Sequence, residues 1–118
     1  MGPGRAAEVA DAVAAGRDVA TAELAGAVRA TLAHLAGRYP GHLVEVRVPP
    51  WGAVQVGIPG LASVHRRGTP PNVVETDPTT WLLLAGGHLD WPDAVASHRV
   101  FASGAHADLS GLFRTREG

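Results

Sequence analysis

The sequence predicts an α+β fold in a single domain. Three observations carry that reading: two alternating apolar stretches at 43–48 and 53–58, helical stripes before them, and strand, helix, helix, strand and helix signals packed into 68–113. A chain of 118 residues suffices for one domain that buries roughly two-thirds of its unfolded surface. Neither a repeat nor a composition break divides it.

Residues 1–17 predict a marginal N-terminal helix or arm, because Ala6, Val9, Ala10, Val13 and Ala14 form a shallow, Ala-rich stripe closed by Gly16. A second helix follows, capped by Asp18 or Thr21 and carrying Leu24, Val28, Leu32 and Leu35 on one face, until Gly37 ends it. Tyr39-Pro40-Gly41 turns the chain into the sheet. Along 43–48, Val44, Val46 and Val48 alternate with Glu45 and Arg47; along 53–58, Val54, Val56 and Ile58 align. The compact corner Pro49-Pro50-Trp51-Gly52 makes these a hairpin.

A third strand is expected at 61–65, then a stiff Pro70-Pro71 connector and a short strand at 72–76. Asp77-Pro78 starts a helix that runs to Ala85: the carboxylate accepts free amide hydrogens, and proline fills the first turn where no donor is missed. Since Trp81, Leu82, Leu83, Leu84 and Ala85 surround its axis, this helix must be covered on several sides, by the sheet and by another helix or a subunit. Gly86-Gly87 stops it, Pro92 opens a helix through Ala96, residues 99–103 form an edge strand, 106–113 a last helix, and 114–118 a loose tail.

Composition removes several function classes. Ten Arg and no Lys against eleven acidic residues leave a net charge of -1, which gives no field to recruit nucleic acid. Without cysteine there is no disulfide, thiolate nucleophile or Cys-ligated zinc. Six histidines show neither HExxH nor a paired spacing, so no metal and no cofactor are expected. No run reaches the roughly 20 apolar residues of a membrane span, and the N-terminus lacks the pattern of a signal peptide; a soluble, cytoplasmic protein is expected. No serine sits in a GxSxG elbow, and Asp90 and Asp93 are explained by their place at a helix start, so no catalytic residue is assigned.

One polar set stands out: Arg47, Arg66, Arg67, Asn72, Glu75 and Asp77. An arginine fork beside a cavity mouth holds a carboxylate or phosphate bidentately. The alternative is ordinary sheet chemistry, with Glu75 paired to an Arg across strands and Asn72 closing a turn.

The stretches VEVRVPPWGAVQV (44–56), RGTPPNVVETDP (67–78), WLLLAGG (81–87) and WPDAVASHRVFASGAHADLSGL (91–112) together resemble the sterol carrier protein superfamily, in particular its small actinobacterial branch. The resemblance implies a mixed, mostly antiparallel sheet of about five strands, with helices on one face and an apolar cavity between the layers that holds a lipid or acyl chain. It also implies that the position of His98, commonly Gly in this branch, is a left-handed helix end. The Met and Phe lining of larger lipid carriers is missing here.

The expectation is a non-catalytic carrier of a small apolar or acyl-type ligand, its cavity walled by Val46, Val48, Val54, Val56, Leu84, Trp91, Leu112 and Phe113. Each of these is equally suited to solid core. Arg47, Arg66 and Arg67 are the expected polar anchors. The rival is an interaction module, either a homodimer or an accessory domain of the kind attached to mycothiol-dependent isomerases, without a ligand of its own.

Overall fold

The structure, a computed structural model, describes residues 1–62 and 71–113. Four helices, α1 (Pro3–Ala14), α2 (Thr21–Arg38), α3 (Pro78–Ala85) and α4 (Trp91–Ala96), accompany four strands, β1 (Val44–Val48), β2 (Gly52–Val56), β3 (Asn72–Thr76) and β4 (Val100–Ser103). A short 3-10 turn, η1 (Ser110–Leu112), follows. The class is α+β, as the sequence predicts. The sheet has the order β2-β1-β3-β4, four strands among the described residues where about five were expected. Leu61 and Ala62 lie outside any strand, and the rest of the expected third strand falls outside the described residues.

Register decides which side chains face the helices. β1 pairs antiparallel with β2 and parallel with β3, which places Val46 beside Val54 on one side and Val74 on the other. β4 closes the far edge antiparallel to β3, with Val74 opposite Ala102 and Glu75 opposite Phe101. Side chains alternate between faces of a sheet, so Val44, Val46, Val48, Val56 and Val74 point together to the buried side. Glu45, Arg47, Glu75 and Phe101 point to the other, where no described helix packs.

The helical cover over α3 comes from within the chain. α2 packs on β2 and on α3, and α1 lies against both α2 and α3. Trp81 and Leu82 are thereby enclosed without a second subunit, and the indole N–H of Trp81 donates to Thr31 Oγ1 at 2.7 Å. α1 is a regular three-turn helix whose Ala6, Val9 and Ala10 are buried, more than its short Ala-rich stripe announces.

Two local expectations are corrected. Neither Asp18 nor Thr21 caps α2, whose cap position is Ala20 with no side-chain bond. The last helix shrinks to η1: the Ser110 N–H, which a helix from 106 would pair with the His106 carbonyl, goes to Asp108 Oδ1 at 2.9 Å. At α3, by contrast, the cap forms as read: Asp77 accepts from Thr80 N at 2.8 Å and from Thr80 Oγ1 at 2.7 Å.

Candidate functional site

Among the described residues, buried side chains occupy the layer between sheet and helices. Val44, Val46, Val48, Val56, Leu82 and Leu84 are each at most 1% exposed, and so is Trp81 above them. Of the eight expected wall residues, Val46, Val48, Val56 and Leu84 are therefore interior packing, and Val54 is half-buried at the margin. Room occurs one layer further out, among the helices.

The C-terminal half of α2 presents Thr31, His34, Leu35 and Arg38 at the i, i+3, i+4, i+7 spacing of one helical face. With Trp81 and Ala85 of α3, and Leu112 and Phe113 after η1, they line a depression of about 140 Å³. Its floor is aromatic. Phe113 meets Trp81 edge-on with centroids 5.7 Å apart and stacks on Trp91 at 6.1 Å, so Trp91 supports the wall from behind. The Thr31 hydroxyl accepts from Trp81 and donates to a carbonyl of its own helix, Ala27 O at 2.7 Å or Val28 O at 3.0 Å.

A larger open groove, about 860 Å³, continues from this depression through the shared residues Thr31, His34 and Ala85. Its far walls are Pro3, Ala6, Ala7 and Ala10 of α1 facing Ala30 and Ala33 of α2. Small side chains leave the room, and one glycine sets the spacing: a Cβ on Gly86 would lie 2.8 Å from Ala10 Cβ, so only glycine lets α1 approach the end of α3 this closely. Asp11 Oδ1 and His88 Nε2, 2.7 Å apart, tie α1 to the turn after α3.

Of the expected polar anchors, the one that is described is not brought to this groove. Arg47 lies on the opposite face of the sheet, ion-paired with Glu45 on its own strand. Arg66 and Arg67 lie outside the described residues. Asn72, only 2% exposed, is fully engaged, donating to Leu43 O at 3.0 Å and accepting from His106 N. Sequence reasoning missed Thr31, His34 and Arg38, although their spacing along α2 was a usable signal.

A protein-family model described as bacterial SCP ortholog matches residues 20–114. The chain belongs to the bacterial SCP ortholog family. Membership in this sterol carrier-like family agrees with the resemblance carried by the four stretches quoted above, and it points to a carrier or binding role. No curated protein matches the chain. The bacterial SCP ortholog match takes in α2 through η1 and leaves α1 outside, so one wall of the larger groove comes from beyond the part shared with the family. No helix among the described residues is long and apolar enough to cross a membrane.

Proposed function

We propose that this protein is a non-catalytic carrier or binding protein for a small apolar or acyl-type ligand, held among the helices and not between helices and sheet. The supporting observation is the groove of about 860 Å³ walled by small aliphatic side chains in a member of a sterol carrier-like family. That volume falls within the roughly 300–1,000 Å³ of small-molecule sites. The groove's hydroxyl group, Thr31, is spent on Trp81 and its own helix, which leaves no activated nucleophile beside His34. Native mass spectrometry of freshly purified protein, with titration of fatty-acid probes, tests the reading. A co-purifying apolar molecule or saturable probe binding is expected; absence of both refutes it.

A second reading, a homodimer acting as an interaction module, is favoured by Phe101. It is 65% exposed on the edge strand β4, on the sheet face that no described helix covers. Sedimentation velocity of wild type and Phe101→Ser discriminates: a dimer that the substitution dissociates supports this reading, and a monomer at all concentrations removes it.

A further inference from the structure

The groove has a charge pattern as well as a shape. Among the described residues no Asp or Glu lines either the depression or the groove, whereas His34 lines both and Arg38 the depression. These two stand one helical turn apart on α2, so they share a face. Arg38 Nε donates to Tyr39 Oη at 3.2 Å, its guanidinium lies 5.7 Å from the Tyr39 ring centroid, and no described carboxylate pairs with its terminal nitrogens.

From Ala30 to Arg38 the wall extends about 12 Å along the helix axis. One end is apolar, Ala30 and Ala33 facing Ala6, Ala7 and Ala10; the other is basic. A neutral hydrocarbon would leave Arg38 unused, and a cationic head would be repelled by it. A carboxylate matches the planar fork of a guanidinium with two parallel N–H···O bonds.

Resting on the carrier reading above, we infer that the ligand is a single-chain anionic amphiphile whose tail lies under α1 and whose carboxylate is held by Arg38, with a His34 ring N–H as second donor. Neither basic residue was among the expected anchors, and both come from the same helix as the groove's apolar wall. The head-group preference is thus built into one surface of α2.

Isothermal titration with dodecanoate and with dodecanol, each below its aggregation limit, tests this on wild type, Arg38→Gln and Ala33→Trp. Arg38 and Ala33 are both exposed, so each variant keeps the fold, which circular dichroism checks. Dodecanoate is expected to bind at least tenfold more tightly than dodecanol, Arg38→Gln to remove that preference while leaving dodecanol unchanged, and Ala33→Trp to abolish binding of both. Equal affinity for the two probes, unaltered in Arg38→Gln, overturns the head-group assignment and leaves the carrier reading standing. Undiminished binding by Ala33→Trp overturns the placement in the groove. Failure of wild type to bind either probe overturns the carrier reading itself.

Discussion

Replacing His98 by glycine should stabilise this protein. α1, α3 and α4 end in the same pair of bonds: Gly16 and Arg17 donate to Val13 O and Ala12 O, Gly87 and His88 to Leu84 O and Leu83 O, and His98 and Arg99 to Val95 O and Ala94 O, all at 2.8–3.1 Å. This is the Schellman closure, which turns on one left-handed residue. Gly16 and Gly87 supply it at φ 73° and 76°, but α4 supplies it with His98 at φ 59°. A side chain there costs roughly 1–2 kcal/mol, because Cβ crowds the following carbonyl oxygen. Glycine removes that strain but adds roughly 0.4–1 kcal/mol of backbone freedom to the unfolded chain. The difference leaves His98→Gly more stable by about 0.5–1 kcal/mol, or about 3–5 °C in Tm for a domain of this size. Urea denaturation at constant m-value and calorimetry measure it. Gly16→Ala is the converse control: a Cβ there meets open space, so only the backbone strain is added and stability falls by about 1 kcal/mol. A neutral or destabilising His98→Gly beside a destabilising Gly16→Ala would refute the strain argument at α4.

Three further outcomes follow from buried or capped polar groups. Asn72→Ala leaves Leu43 O and His106 N without their partner and lowers unfolding free energy by about 2–4 kcal/mol, measured by urea titration. Thr31→Val, nearly isosteric, orphans the buried indole N–H of Trp81 and costs about 1–3 kcal/mol; a shift in tryptophan emission accompanies it. Hydrogen bonds from the Ser110 backbone and then its side chain hold the Asp108 carboxyl below its ordinary value of 3.8, against a smaller opposing desolvation. A depressed folded-state value means that this contribution is complete above the unfolded value and is lost as pH falls through the folded one. Asp108→Asn should therefore lower the neutral plateau of Tm against pH while leaving Tm below about pH 4 near that of wild type, so the acid limb flattens, and because the group is mostly exposed the effect is small.

Local signals survived folding where neighbours in the chain decide the outcome. β3 is bracketed by Pro71 before it and Asp77-Pro78 after it, so its limits and the start of α3 were legible in adjacent residues. His98 was legible as a left-handed helix end only through the family resemblance, which has glycine at that position; its φ is 59°. The parallel pairing of β1 with β3 was not legible, since alternation fixes the faces of a strand but neither its neighbour nor its direction. The last helix failed because Asp108 takes the Ser110 N–H in a local turn, a competition that an apolar stripe does not reveal.

Stripes identify facing surfaces without saying whether their side chains interdigitate. Val, Leu and Trp are large enough to close the layer between sheet and helices; the Ala residues of α1 and α2 are not, and the room therefore lies where alanine faces alanine. That same smallness makes α1 the weakest-held wall. It buries only Ala6, Val9 and Ala10, whereas α2 buries Leu32 and Leu35 and α3 buries Trp81, Leu82 and Leu84. The ion pairs that tether it, Arg5 with Glu23 of α2 and Asp11 with His88, lie at the surface and add little. Opening α1 then disturbs far less buried apolar surface than opening α2 or α3, so the groove's entrance should be its own wall. Native-state hydrogen exchange checks this: amides at 6–14 should exchange well before those at 25–35 and 81–84, with protection in α1 rising when dodecanoate is bound. Protection in α1 equal to that of the global core in the free protein would mean that ligand enters by another route.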